Sequence, residues 1–153
     1  MLLRMVSWSE VEKAEPEFAA KVRTLFDARK HKTMATIRRD GSPRISGMEM
    51  QFDDERITFG MMDGSMKALD VRRDPRVAFH SPSVDPPEGE QSGWVGEAKL
   101  SGRAVSRLDE EGGYEEGSYE IDIDEVALTY LGEGGLIIES WHPDVGHQRR
   151  IRT

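Results

Sequence analysis

The sequence contains no cysteine. This absence excludes disulfide bonds, thiolate zinc sites and cysteine nucleophiles, and it fits a reducing compartment. No apolar run approaches the roughly 20 residues that a membrane span requires. The first fifteen residues, MLLRMVSWSEVEKAE, hold no apolar stretch long enough for a signal peptide. These absences predict a cytoplasmic protein that does not interact with a membrane.

Positive charge is also scarce. The 21 lysines and arginines face 29 aspartates and glutamates, which gives a formal net charge of −8. An acidic balance argues against nucleic-acid binding, which needs a basic face, and against an anionic membrane surface. The 153 residues, 37% of them hydrophobic, are enough to bury a sizeable core. We therefore expect a single domain over residues 1–153.

The first part of the chain has a helical pattern. Ser7 and Glu10 stand at the spacing of a capping box, and Pro16 is expected to divide a first turn from a main helix. We expect the helical segment 1–30 to end in positive charge, which suits a helix C-terminus. The basic residues concerned are Lys30, His31 and Lys32.

Strand-like stretches dominate the rest of the chain. They are Thr33 to Arg38, Arg44 to Phe52, Arg56 to Met62, Arg76 to His80, Trp94 to Val105, Tyr119 to Leu131 and Leu136 to Trp141. Gly102 is expected to mark a bulge or a sharp bend. A short helix, about Met66 to Arg73, is inserted before Asp74-Pro75. Residues 108–118 read as a mobile acidic loop and residues 142–153 as a polar tail. This many strands in so short a chain predicts a small antiparallel barrel.

The turn Asp63-Gly64-Ser65 is followed by Lys67, the only positive charge between Arg56 and Arg72. A glycine turn at a helix start can direct free amides and the helix dipole at an anion. Ser65 can cap the helix or donate to a phosphate oxygen, and Lys67 adds a full charge. The alternative is a capped surface helix with an exposed lysine, and the local sequence leaves both readings open.

No side chain presents itself as an acid, base or nucleophile. His142, Asp144 and His147 have no further ligand nearby, so no metal site is predicted, and His80 reads as an ordinary surface or interface histidine. Four glutamates fall in the acidic loop and are expected to be solvated: Glu110, Glu111, Glu115 and Glu116. The catalytic residues are therefore unknown. Either the protein is not an enzyme, or a bound cofactor does the chemistry.

The run MATIRRDGSPRISGMEMQFDDERITFGMMDGSMKALDVRRDPRVAFHS resembles the pyridoxamine 5′-phosphate oxidase-like split-barrel flavoproteins. The shared order is AT-hydrophobic, DG-x-P, two strands, a turn with S-x-K, a short helix and DPRV. The match is strong over residues 33 to 80 and continues in GEAKLSGRAV and LIIESWHP. Ser46 and Met66 stand where the vitamin B6 oxidase has basic residues, and HQRRIRT does not reproduce its substrate segment. The resemblance is therefore to oxidase-related members.

The resemblance implies a mainly β fold, an antiparallel split β-barrel of about six to seven strands with an N-terminal helix and one short inserted helix. It also implies a homodimer that binds FMN at the subunit interface and passes a hydride or electrons to an unknown small molecule. The positions implied as cofactor-binding are Ser46, Gly47, Met48, Gly60, Met61, Ser65, Met66, Lys67, Glu97, Trp141 and Arg149, with Arg150 as the alternative to Arg149.

Two alternatives to an FMN enzyme remain open. Related barrels use the deazaflavin coenzyme F(420), whose phosphate also meets the serine–lysine turn and whose polyglutamate tail needs a basic groove. Four arginines could form such a groove: Arg38, Arg39, Arg72 and Arg73. The other alternative is non-enzymatic, a flavin or haem carrier or a barrel that has lost its cofactor.

Overall fold

The computed structural model describes residues 4–153 and contains three α-helices and eight strands within them. The helices are α1 (Trp8–Ala14), α2 (Pro16–Asp27) and α3 (Met66–Arg73), and a 3₁₀ turn covers Gln91–Gly93. The strands are β1 (His31–Ile37), β2 (Pro43–Phe52), β3 (Ile57–Gly60), β4 (Arg76–His80), β5 (Glu97–Leu108), β6 (Tyr114–Gly132), β7 (Gly135–His142) and β8 (Gly146–Arg152).

Six of the strands close into an antiparallel barrel in the order β3-β2-β1-β4-β5-β6. The barrel closes where β3 pairs with β6, over only three residue pairs from Thr58↔Glu120 to Gly60↔Ser118. Closure removes the free edges of these strands. The predicted split barrel is confirmed, and β7 and β8 extend the sheet beyond β6.

The predicted polar tail is wrong. Residues 146–152 form β8, which pairs with β7 from Leu136↔Arg152 to His142↔Gly146. Most of β8 is exposed and its sequence, GHQRRIR, shows no apolar alternation. β8 is a strand because its backbone pairs with β7. Its side-chain pattern therefore gave little indication of a strand. The barrel itself has six strands, within the predicted six to seven, and β7 and β8 bring the total in the described residues to eight.

The N-terminal segment predicted as helical over 1–30 contains α1 and α2, and residues 1–3 of that prediction lie outside the described part of the chain. Pro16 begins α2 and separates it from α1. Ser7 does not cap α1 with its side chain; its Oγ instead lies 2.9 Å from Oγ of Ser9. The second helix ends at Asp27. His31 and Lys32 therefore belong to β1, where β-sheet pairing replaces the helix end expected there.

The core joins the first two helices to the barrel. Trp8, Val22 and Phe26 are fully buried, and the ring of Trp8 packs edge-on against Phe52 with centroids 4.9 Å apart. Methionine and aromatic side chains fill the barrel interior, among them Met34. Burial of such side chains contributes roughly 1.5–3 kcal/mol each. None of the helices in the described part of the chain is both long and apolar enough to span a membrane.

The segment predicted as a mobile acidic loop is largely a hairpin. β5 runs to Leu108 and β6 begins at Tyr114, so Glu115 and Glu116 lie in a strand. The bulge expected at Gly102 is confirmed by a register shift between Ser101 and Gly102. The hairpin brings the start of β6 to the end of β3, and this positions the site described next.

Candidate functional site

The turn between β3 and α3 is held from both sides. The amide of Met61 donates to the carbonyl of Gly117 on β6 at 2.8 Å, and the amide of Ser65 donates to the carbonyl of Met62 at 3.1 Å. Gly64 takes a φ of +78°, a backbone conformation that favours glycine. The hydroxyl of Ser65 accepts from the amide of Ala68 at 3.3 Å, which caps α3 as predicted. The bounds of α3 match the predicted Met66 to Arg73.

A buried carboxylate anchors α3 to the barrel. Asp70 is 2% exposed and accepts from Oγ1 of Thr36 at 2.8 Å, from Nε of Arg44 at 2.7 Å and from Arg73 at 3.1 Å. Burial raises the pKa of Asp70, but the bonds from Arg44, Thr36 and Arg73 outweigh it, so the net pKa lies below its ordinary value of 3.8. This network fixes α3, and with it Lys67, against β1 and β2.

Lys67 points into a groove on the outer face of the barrel. Its Nζ donates to the carbonyl of Gly47 on β2 at 3.0 Å. The cavity of about 490 Å³, called the Lys67 groove below, is lined by His31, Gly47, Met48, Glu49, Met50, Gln51, Thr58, Phe59, Gly60, Met61, Met62, Lys67, Arg107 and Ser118. It lies over β2 and β3 beside the seam with β6. The first two amides of α3 have no acceptor within the helix, so they are free for an anion.

The structure brings together five of the predicted cofactor-binding residues in the Lys67 groove, namely Gly47, Met48, Gly60, Met61 and Lys67. Two others adjoin it. Ser46 precedes Gly47 on β2 and is half-buried on the opposite face of the strand, and Ser65 caps the helix that carries Lys67.

The other predicted positions lie outside this groove. Met66 is 58% exposed and lines a different cavity. Trp141 is 5% exposed and belongs to the core, whereas Arg149 and Arg150 are exposed on β8. Their role in cofactor binding stays a prediction.

An acidic pair stands beside the turn. A hydrogen bond to Glu116 is the main cause that lowers the pKa of Asp63, and Arg72 adds to it. The same bond raises the pKa of Glu116. Arg72 forms an ion pair with Asp63. Glu116 is exposed, as expected, but it lies in a strand beside the turn rather than in a mobile loop, because the β5–β6 hairpin brings it there.

A row of residues crosses the outer face from the Lys67 groove. In the sheet register Gly47 lies opposite Thr33, Thr33 opposite His80, and His80 opposite Lys99. Neighbouring strands are about 4.8 Å apart, so His80 stands roughly 10 Å from Gly47. A second cavity of about 310 Å³ follows this row and is lined by Thr33, Ala35, Ile45, Ala78, Phe79, His80, Lys99, Leu100, Ser101 and Glu125.

Glu97 belongs to this outer face. Its carboxylate lies 3.1 Å from Nε2 of His80 and 3.4 Å from Nζ of Lys99. Sequence reasoning placed Glu97 in the site only by resemblance, and it read His80 as an ordinary surface residue. Arg107 and Ser118 of the Lys67 groove were missed entirely. They come from distant strands, and only the barrel register places them beside Lys67.

Five arginines gather in a separate cavity of about 770 Å³, called the arginine groove below. Its lining is Arg38, Arg39, Asp40, Arg44, Met66, Leu69, Asp70, Arg72 and Arg73. Asp70 engages two of these arginines from below. The groove concentrates positive charge in a chain whose net charge is −8, and it lies against the helix that carries Lys67.

The histidines near the C-terminus are engaged by carboxylates. Nε2 of His142 lies 2.6 Å from Glu125, and Nε2 of His147 lies 2.8 Å from Glu139. Over residues 4–153 no group of three or more suitable side chains is arranged to hold a metal ion. No metal role is therefore assigned to these histidines.

The fold is a split β-barrel, and the ammonium group of Lys67 points into a groove on its outer face. Residues 18–123 match the family model described as pyridoxamine 5′-phosphate oxidase. The match covers well over half of the chain, so the protein belongs to this family. No curated protein matches the chain.

Solved structures share the fold. A haem-binding protein from Mycobacterium smegmatis aligns with a TM-score of 0.62 and 16% identity, over 94% of this chain and 60% of that protein. A pyridoxamine 5′-phosphate oxidase-related, FMN-binding protein from Nostoc punctiforme aligns at 0.57 and 12%, over 92% and 95%. An F(420) reductase aligns at 0.50 and 16%, over 66% and 91%. At these identities the likeness concerns the fold alone.

Proposed function

We propose that the protein is an FMN-binding oxidoreductase that acts on an unidentified small molecule. The observation that carries this proposal is the convergence of the Lys67 ammonium group and the N-terminus of α3 on one groove. The Lys67 groove has room for a phosphate ester beside Gly47 and Gly60. Charge-assisted bonds to a phosphate are about twice as strong as neutral ones.

The residues present fit a phosphate group. The hydroxyl of Ser65 accepts from Ala68 and still has its own proton to donate. The amides of Met66 and Lys67 lie in the first turn of α3, where the helix dipole favours an anion. Lys67 already holds its ammonium group at the groove through the carbonyl of Gly47. When bound, a flavin would supply hydride or electron transfer, which these side chains do not supply themselves.

The proposal includes a homodimer. Ile45 is 75% exposed, and it lies on the outer face opposite Ala35 of β1, where a second subunit would cover its side chain. Arg149 is exposed on β8, outside the Lys67 groove of its own subunit, which is consistent with a contribution across an interface, whereas Trp141 is buried in the core of its own subunit. Sedimentation velocity with and without FMN tests this part, and a monomer at micromolar concentration under both conditions would contradict it.

The experiment for the cofactor is a titration of the purified protein with FMN, followed by the quenching of flavin fluorescence. Lys67→Ala is expected to weaken binding by about 1.5–3 kcal/mol, the range for hydrogen bonds to charged groups, or about 10- to 150-fold in Kd. Lys13→Ala is the matched control, because Lys13 is an exposed lysine at the end of α1. Equal FMN affinity in wild type and Lys67→Ala would show the phosphate assignment to be wrong.

A second candidate is a reductase that uses the deazaflavin coenzyme F(420), and the arginine groove is the observation that favours it. A polyglutamate tail needs a run of positive charge, and the arginines expected to form one line the same cavity. Titration with F(420) carrying a long or a short tail separates the two cofactors. Tighter binding of the long-tailed form than of the short-tailed form, with a smaller difference in Arg39→Ala, supports this candidate. Tighter binding of FMN than of either form rejects it.

The same sample addresses the non-enzymatic alternative. A purified protein that carries haem, and binds neither flavin nor deazaflavin, shows a Soret band and no flavin absorbance. That result would replace both redox proposals with a carrier function.

A further inference from the structure

His80 makes two hydrogen bonds, one through each ring nitrogen. Its Nδ1 lies 2.6 Å from the carbonyl oxygen of Ser81, and its Nε2 lies 3.1 Å from Oε2 of Glu97. A carbonyl oxygen and an ionised carboxylate only accept hydrogen bonds, so each ring nitrogen must donate. A neutral imidazole has only one N–H group. His80 satisfies both partners only as the doubly protonated ring.

The ring stands within reach of a molecule held by Lys67. His80 follows Gly47 and Thr33 in the row across the outer face, and Gly47 is the residue whose carbonyl accepts from Lys67. The side chain of His80 is 35% exposed and lines the second cavity. An extended ligand that is anchored at Lys67 and follows this row would pass beside Nε2 of His80.

The charged groups around His80 come from β5 and β6. Glu97 contacts the ring of His80, Lys99 contacts the other carboxylate oxygen of Glu97, and Glu125 lines the same cavity. On the β1 side, the facing residues Thr33 and Ala35 are uncharged. One carboxylate in direct contact thus dominates the surroundings of the ring.

We propose that His80, held by Ser81 and Glu97, is the proton donor of the reaction that this site carries out. The inference rests on the proposed function, which supplies a reduced flavin. In reduction, the substrate takes a hydride from the reduced cofactor at one atom of a double bond. The neighbouring atom takes the proton from Nε2 of His80. The N–H bond breaks, the nitrogen keeps the electron pair, and the ring regains a proton from water. Oxidation runs the same steps in reverse.

The first test needs no cofactor. Nitrogen-15 spectra of the histidine rings in the intact protein report which ring nitrogens carry protons. At the pH of the activity assay both nitrogens of wild-type His80 are expected to carry protons, because both hydrogen-bond partners only accept, and Glu97→Gln is expected to reduce the protonated fraction at Nε2. A His80 ring with an unprotonated Nε2 at that pH in the wild type would overturn the proposal.

The second test separates proton transfer from cofactor binding. In the FMN-loaded, dithionite-reduced protein, the quinone menadione serves as a two-electron, two-proton acceptor. His80→Gln is expected to keep the FMN Kd within about threefold of wild type, and to slow quinone reduction about 100-fold, the lower end for general acid catalysis. In His80→Ala, added imidazole is expected to restore part of the rate and its pH dependence, which a structural role would not allow.

His147→Gln is the control, because His147 also bonds a glutamate but lies on β8 outside both outer-face cavities. Its quinone rate should equal that of the wild type. Normal FMN binding together with an unchanged rate in His80→Gln would reject His80 as the proton donor and leave the proposed function standing. Failure of the wild-type protein to bind FMN would reject both.

Discussion

Replacement of Asp70 by asparagine tests the link between α3 and the barrel. The side chain of Asp70 is 3% exposed and that of its main partner, Arg44, is 17% exposed. An asparagine at this position would keep the size of the side chain and an acceptor for Thr36, but it removes the charge that compensates Arg44. Breaking a buried ion pair by removing one partner costs about 3–5 kcal/mol. Because Arg44 retains some contact with water, we expect a loss of about 3 kcal/mol.

Urea unfolding followed by tryptophan fluorescence measures this loss. With an m-value of about 2 kcal/mol per molar urea, the midpoint of Asp70→Asn should fall by about 1.5 M. Asp74→Asn is the control, because Asp74 pairs with Arg76 at the surface and exposed pairs contribute little. Adding Arg44→Met to Asp70→Asn should recover part of the lost stability, since it removes the uncompensated charge.

The stability difference between wild type and Asp70→Asn should depend on pH in a defined direction. The pKa of folded Asp70 lies below its ordinary value of 3.8, so the carboxylate stabilises the fold above about pH 4. This contribution is lost as the pH falls through the lowered folded pKa. The gap between wild type and Asp70→Asn should therefore narrow from about pH 5 to about pH 3. A loss below about 1 kcal/mol, or a gap that stays constant over this range, would refute the reasoning.

Two further predictions concern β6 and β7. Gly117→Ala should destabilise the protein by about 1–3 kcal/mol and weaken FMN binding, because Gly117 has a φ of +76° and a Cβ there would lie 2.5 Å from the carbonyl oxygen of Met61. Thermal unfolding measures the loss of stability, and FMN titration measures the loss of affinity. Gly112→Ala is the control for the contact with Met61, because Gly112 has a similar φ but its Cβ would meet no other atom. Glu139→Gln should weaken the pairing of β8 with β7, because the buried Glu139 accepts a hydrogen bond from Tyr130 at 2.7 Å and contacts His147 at 2.8 Å. Faster amide hydrogen exchange confined to residues 146–152 would confirm this prediction. Unchanged exchange in these residues would contradict it.

Elements bounded by strong local signals were predicted well from sequence. The bounds of α3 and β4 agree with expectation, because Asp63-Gly64-Ser65 and Asp74-Pro75 fix the chain on either side of α3 without help from the rest of the fold. β8 could not be predicted, since its pairing to β7 depends on backbone groups that leave no side-chain pattern. The ends of β3 and β5 shifted by up to three residues for the same reason.

The site divides in the same way. Lys67 and Ser65 were identified because the turn and the helix start are local features. Arg107 and Ser118 enter the Lys67 groove only through the register of the barrel. His80 and Glu97 are 17 residues apart in the chain. Nothing in the sequence of either segment indicates that Nε2 of His80 faces the carboxylate of Glu97. Chemistry that depends on two strands meeting needs the three-dimensional structure.

The short pairing between β3 and β6 has a consequence for how the protein folds and opens. It joins segments about 60 residues apart with only three residue pairs, so its formation bears a large loop-closure entropy and belongs late in folding. It is also the part of the barrel where reversible local opening should occur first. Gly60 and Ser118, which form its last pair, line the Lys67 groove. A ligand bound in the Lys67 groove would stabilise the pairing of β3 with β6 and so keep the barrel closed. Amide hydrogen exchange in β3 should therefore slow as the fraction of protein with bound ligand increases.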